Sequence, residues 1–199
     1  MRGLWIAGAA SVMMLGACAT AENPAAAPVS TSARIIEDSA IASEFGMLAS
    51  LVGTRWYGEP GDADKAQGQP ADYSEWNWDL GRSVLVNRHV LADGSYGGVT
   101  YVQKNRASGE LDYVYITSAG FRTSGSFTLN DDGSWTAYET VTGLNDIIGV
   151  RSTGRLTEDG ALVSVSEFET RDGWKPGHEF RYEPTIEPMP ELVPSLEIE

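Results

Sequence analysis

His89 and His178 are the only imidazoles in this 199-residue chain, so general-base chemistry near neutral pH would have to start at one of them. No nucleophile stands beside either in sequence. The closing segment reads Trp174-Lys175-Pro176-Gly177-His178-Glu179-Phe180-Arg181-Tyr182. Alternate residues of a strand share a face, which groups Trp174, Pro176, His178, Phe180 and Tyr182 against Lys175, Gly177, Glu179 and Arg181. The aromatic set is expected to point inward. His178 would then sit in an apolar pocket, either as a base toward a bound molecule or satisfied by a hydrogen bond. Trp76, Trp78 and Leu80 share a second such face, opposite Glu75, Asn77 and Asp79. Val84, Val86 and Val90 share a third with Arg88. A guanidinium inside a cavity needs a partner such as a ligand carboxylate; otherwise Arg88 belongs at a rim with its head group in water. The six tryptophans could stack on a ligand or serve as plain core.

Other chemistries lack their signatures. There is no Gly-x-Ser-x-Gly elbow, no phosphate-binding Gly-rich loop and no His-Glu-x-x-His pair, and no enzyme activity is expected. Asp131-Asp132 and Glu158-Asp159 fall at turn positions, where turn chemistry accounts for them. Asp62-x-Asp64 lacks the later ligands of a calcium loop. One cysteine excludes a disulfide framework. A formal net charge of −14, from 14 Lys+Arg against 28 Asp+Glu, argues against a nucleic-acid partner, whose phosphates need a basic surface.

The sole cysteine has its own context. Arg2 precedes an apolar run from Leu4 to Ala17, short of the roughly 20 residues of a membrane-spanning helix but suited to a secretory signal. Leu15-Gly16-Ala17-Cys18 resembles the bacterial lipobox. That resemblance implies cleavage before Cys18, lipid on its sulfur and acyl chains that hold the protein to a membrane. Ala19 follows, without the Asp that retains enterobacterial lipoproteins at the inner membrane, so the implied location is the cell envelope, at the outer membrane facing the periplasm. The expected organisation is signal peptide 1–17, lipidated Cys18 and flexible tether 18–33, one domain 34–183, and an acidic proline-rich tail 184–199.

The elements that must position the candidate residues follow from turn spacing. Asp-Gly dipeptides at 93–94, 132–133, 159–160 and 172–173 are separated by 39, 27 and 13 residues, near multiples of 13. Asp-Gly between alternating runs is a hairpin signal, here expected as type I′ turns. Ile41, Phe45, Leu48 and Val52 mark one face of a helix stopping at Gly53. Strands are expected at 53–59, 71–80, 82–91, 96–104, 110–118, 121–129, 134–142, 147–156, 161–170 and 174–183. Ten consecutive antiparallel strands curl and pair first with last to remove their edges. The expected fold is all-β: a ten-stranded up-and-down barrel behind one short helix, with disordered tether and tail. A two-sheet sandwich is the alternative. Strand five carries Leu111, Tyr113 and Tyr115 on one face and Val114 and Ile116 on the other, so the helix 41–52 or a partner is expected over its outer side.

Leu51-Val52-Gly53-Thr54-Arg55-Trp56-Tyr57-Gly58-Glu59, Tyr73 through Gly81 and the Gly173 to Tyr182 strand resemble the lipocalin-like and nitrobindin-like (calycin-type) barrels, including a bacterial family of unknown function. The resemblance implies a cavity for a small apolar or amphipathic ligand. In nitrobindin-like barrels a closing-strand histidine holds haem, which would be His178; Glu179-Phe180-Arg181 differs from the Leu-x-Ala that follows it there. Fatty-acid-binding proteins hold a carboxylate with an Arg-x-Tyr of the closing strand, which the adjacent Arg181 and Tyr182 do not reproduce. No cofactor or metal is expected from the residues themselves. The candidate ligand-binding residues are Trp76, Trp78, Arg88, Trp174, His178, Phe180 and Tyr182. The alternative function is an envelope protein-interaction module that uses the barrel as scaffold.

Overall fold

A computed structural model describes residues 40–193. The expected signal peptide, Cys18 and the expected tether, together with residues 34–39 and 194–199, lie outside the described residues.

Ten antiparallel strands close into a barrel in simple meander order. They are β1 Arg55–Pro60, β2 Asp72–Asp79, β3 Val84–Leu91, β4 Gly97–Lys104, β5 Leu111–Thr117, β6 Arg122–Leu129, β7 Ser134–Thr142, β8 Gly149–Leu156, β9 Leu162–Thr170 and β10 Gly173–Thr185. Closure comes from β1 against β10, from Arg55 opposite Thr185 to Pro60 opposite Phe180. Thr, Val, Tyr, Phe and Trp dominate these segments and suit a pleated surface with one buried face. Glycines 94, 133, 160 and 173 all take positive φ, between 72° and 100°. The preceding aspartates do not, so these are not the expected type I′ turns. At 131–133 and 158–160 three residues close the hairpin, and only the glycine is left-handed. Asp132 Oδ1 accepts the Ser134 N–H at 3.0 Å, fixing the turn from the side.

The β2–β3 connection is strained. Leu80, Gly81 and Arg82 all have positive φ, at 46°, 64° and 69°, and Leu80 is 72% exposed. A left-handed non-glycine residue costs about 1–2 kcal/mol. Leu80→Gly is therefore expected to raise unfolding stability by roughly 1 kcal/mol, read as a higher urea midpoint; an unchanged or lower midpoint would contradict it.

The N-terminal helix, α1, is α-helical over 40–45 and continues as a 3-10 turn, Gly46–Leu51. It does not cover the outer side of β5, where Ile116 is 51% exposed. It enters one end of the barrel instead and buries Phe45, Leu48 and Leu51 with Trp56, Trp76, Leu85, Val102 and Leu111. Each large side chain so buried stabilises by about 1.5–3 kcal/mol. The helix end is latched to the wall by the Gly53 N–H, which donates to Trp76 O at 3.0 Å. A second short helix, α2 Asp62–Ala66, lies in the β1–β2 connection at the opposite end.

β10 runs to Thr185, past the expected domain limit at 183. Beyond it the acidic tail follows the outer wall. Glu187 O accepts from Arg55 Nη1 at 2.6 Å, its carboxylate accepts from the Tyr73 hydroxyl, and Val193 N–H donates to Gly94 O at 2.9 Å. That carboxylate pushes the Tyr73 hydroxyl up to about 12.

Candidate functional site

Face assignments decide which side chains meet inside. On β3 the inward set is Leu85, Asn87, His89 and Leu91, because these pair with Trp78, Trp76, Ser74 and Asp72 of β2. Arg88 lies on the other face and is exposed, so it does not line the interior as a partner for a ligand carboxylate. The valines that suggested the opposite phase form an apolar outer stripe.

On β10 the alternation breaks at a bulge. Pro176 faces Glu167 and Glu179 faces Val165, so Gly177 and His178 together oppose Ser166. One extra residue reverses the pleat. After the bulge, His178, Phe180 and Tyr182 face inward as expected. Before it, Trp174 and Pro176 face outward. Trp174 instead packs under the Arg151 guanidinium, 4.4 Å from the ring centroid, and Arg151 pairs with Glu167 at 2.5 and 3.0 Å. Trp78 points in but packs edge-on against Phe45, centroids 5.0 Å apart, as part of the plug.

Inside, a lower chamber of about 230 Å³ includes Trp76 and Trp135 in its lining. An upper chamber of about 670 Å³ is rimmed by Gln69, Leu144, Ile147 and His178. Asp72, His89, Tyr115, Glu139 and Tyr182 line both. The combined space is in the range of small-ligand sites. Walls near the mouth are apolar, with Phe121, Val141, Val150, Phe168 and Phe180. The floor is polar.

The floor is a hydrogen-bonded chain. Asp72, 3% exposed, faces His89 Nδ1 at 2.9 Å and accepts from the Tyr182 hydroxyl at 2.9 Å. His89 Nε2 lies 2.6 Å from Tyr115 Oη, and Tyr115 Oη lies 2.7 Å from Tyr96 Oη. For a neutral imidazole the carboxylate selects the tautomer: Nδ1–H donates to Asp72, so Nε2 accepts from Tyr115, which in turn accepts from Tyr96. Nearby, buried Thr123 donates to the Glu139 carboxylate. Burial pushes the Tyr115, Tyr113 and Tyr182 hydroxyls up, which keeps them protonated near neutral pH. The floor is therefore built to hold hydrogen bonds in place rather than to present an ionised tyrosine nucleophile.

Two of these tyrosines rest against glycine. A Cβ on Gly98 would lie 2.3 Å from the Tyr115 ring and 2.8 Å from Ile116 O, and one on Gly58 would lie 2.4 Å from the Tyr182 ring. Gly98→Ala is expected to force Tyr115 off His89 at a cost of about 1–3 kcal/mol, seen as a lower urea midpoint. Equal stability would show that the ring has room to move.

Burial pushes the Glu139 carboxyl up, only partly offset by bonds from Thr123 and Tyr113. A folded value above the unfolded one favours the protonated native state. Glu139 thus adds most stability below about pH 4.5, and that contribution is lost as pH rises through the raised value. Glu139→Gln, neutral throughout, is expected to lack this loss: its stability relative to wild type should climb between pH 4.5 and 8. A constant difference would count against burial as the cause.

At the mouth, His178 Nδ1 lies 2.9 Å from Asp64 Oδ1, and Asp64 Oδ2 accepts the Glu179 N–H at 2.9 Å. Burial raises the Asp64 carboxyl, but those two partners outweigh it and hold it below its ordinary range. Asp64 serves as a clasp between α2 and β10. His178 keeps aromatic company, with Phe168 at 5.4 Å and Phe180 at 6.3 Å, although its side chain is 45% exposed.

The structure thus brings Trp76, His178, Phe180 and Tyr182 to the cavity and sets Trp78, Arg88 and Trp174 elsewhere. Sequence reasoning missed Asp72, Tyr96, Thr123 and Glu139, and placed His89 in no site. Among the described residues no group of three or more His, Cys, Asp or Glu side chains is arranged to hold a metal ion. The chain matches no model of a known protein family and no curated protein.

Proposed function

We propose that this is a binding protein rather than an enzyme: a barrel that takes a small amphipathic molecule through its open end, polar group toward Asp72–His89–Tyr115 and apolar part against Phe121, Phe168 and Phe180. The observation that carries this reading is the asymmetry of the interior. One end is sealed by α1, and the other leads past apolar walls to a buried polar floor. A polar floor inside a barrel is costly unless its groups serve a ligand or bond one another. Lipidation and envelope location belong to this proposal on the strength of Leu15-Gly16-Ala17-Cys18 alone.

The test is to purify the folded domain, extract it under denaturing conditions and identify co-purified small molecules by mass spectrometry. A stoichiometric amphipathic compound supports the reading. A folded sample that yields none, and whose tryptophan fluorescence responds to no amphiphile, overturns it and favours the scaffold alternative. Cys18→Ser, expressed as full chain, should move the protein out of the membrane fraction.

Haem through His178 is the second reading, favoured by one observation: Asp64 holds Nδ1 of a side chain that lines the upper chamber, and Nε2 makes no hydrogen bond among the described residues. An imidazole held this way could ligate haem iron. Added haemin should then give a Soret shift that His178→Ala removes; no shift ends this reading.

A further inference from the structure

We infer that the ligand carries a positive charge: a protonated amine on an apolar body. This rests on the barrel-binding reading above and specifies its ligand class. Three features point the same way.

The first is the sign of the lining. Asp72 and Glu139 are the carboxyl groups lining the two chambers, and neither chamber is lined by lysine or arginine. Arg88, which could have met an anionic head group, is outside. A carboxylate-headed ligand would be desolvated beside two acids, since Lys175, phased inward opposite Phe168, is exposed and lines neither chamber.

The second is the direction of the hydrogen bonds. Tyr182 donates to Asp72, and with a neutral His89 that donates Nδ1–H to the same carboxylate, Tyr115 donates to His89 and Tyr96 to Tyr115. Every hydroxyl proton of this chain is spent inward. What Tyr96 Oη and the Asp72 and Glu139 oxygens offer an incoming group is lone pairs. The Trp135 Nε1–H is the contrary feature, a buried donor without an acceptor, and it belongs to the lower chamber. A head group rich in N–H donors satisfies the chain of acceptors; a carboxylate does not.

The third is the aromatic wall. Tyr96, Tyr115, Phe121, Phe180 and Tyr182 surround the upper chamber, and ring faces attract a cation at close range. The formal charge of −14 draws cations toward the molecule before they reach the mouth.

The test compares three probes with the same tail, decylammonium, decanol and decanoate, titrated below their aggregation concentrations and followed by tryptophan fluorescence and calorimetry. Decylammonium is expected to bind at least about tenfold more tightly than either of the others. Glu139→Gln, checked by circular dichroism, should shrink that preference; if it does not fold, Tyr96→Phe, which removes the terminal acceptor, takes its place. Equal binding of the three, or tightest binding of decanol or decanoate, overturns the charge inference and leaves the barrel-binding reading standing. A folded protein that binds none of the three and yields no co-purified amphiphile overturns both.

Discussion

Asp72→Ala is expected to lower unfolding stability by about 3–5 kcal/mol, because it leaves two buried donors without their acceptor at about 1–3 kcal/mol each. Asp72 is 3% exposed and is the acceptor on which two donors converge, His89 Nδ1 and Tyr182 Oη, each at 2.9 Å. Alanine leaves an imidazole N–H and a phenol inside the barrel without an acceptor. The loss should exceed that of Tyr182→Phe, which removes one donor and leaves Asp72 with His89; about 1.5–3 kcal/mol is expected there. Asp72→Asn separates charge from shape, since one amide oxygen can still accept while its NH₂ opposes a donor; it should fall between the two. Urea unfolding followed by tryptophan fluorescence gives all three values. An Asp72→Ala loss below about 1 kcal/mol would show that water, not protein, satisfies these groups. Because Asp72, His89 and Tyr182 share one network, their losses should not add.

The barrel was legible because turn chemistry is local. Asp-Gly and Ser-Gly recur at a steady interval, and a left-handed glycine ends a strand whatever lies around it. The expected strands therefore fall within a few residues of the observed ones, and Phe45 and Leu48 marked a helix. The interior was less legible because two assumptions failed. The first was that the more apolar face of a strand points in. On β3, Val84, Val86 and Val90 outweigh Asn87 and His89, yet the latter face inward, since a barrel with a cavity admits polar side chains that a dry core would reject. The signal that could have found them is pairing: a short β2–β3 connection sets Trp76 opposite Asn87, which puts His89 inside once Trp76 is. The second assumption was unbroken alternation on β10. Pro176-Gly177 is a bulge signature, because proline lacks the ladder N–H and glycine tolerates the close approach of Ser166, 2.5 Å from a notional Cβ. That bulge separates Trp174 from Phe180 and Tyr182. Asp64, Tyr96 and Glu139 join the site from a connection, a hairpin edge and a distant strand, and their meeting depends on closure of the barrel rather than on any spacing in the chain.

Closure at the sealed end carries the second large effect. Phe45→Ala is expected to cost about 3–5 kcal/mol, because the ring is 2% exposed and meets Trp78 edge-on within the cluster formed by Leu48, Leu51 and Leu85. The backbone there has little freedom to collapse. Gly46 follows at φ 53°, and a Cβ on it would meet Leu129 at 2.6 Å, so the turn that swings the helix across the barrel is already tight. A local readout distinguishes loss of packing from global unfolding: Trp78 emission in the native baseline should move to longer wavelength as water enters, before the main transition. A loss under about 1 kcal/mol with an unshifted baseline would mean that the helix rests on the barrel rather than plugging it. The plug also bears on the floor above it. Hydrogen bonds strengthen where water is excluded, and on the inward face of β2 Ser74 and Trp76 lie between Asp72 and the Trp78 that packs on Phe45. Water admitted at Phe45 would compete for the Asp72 acceptors, so the double variant Phe45→Ala/Tyr182→Phe should lose less than the sum of its parts.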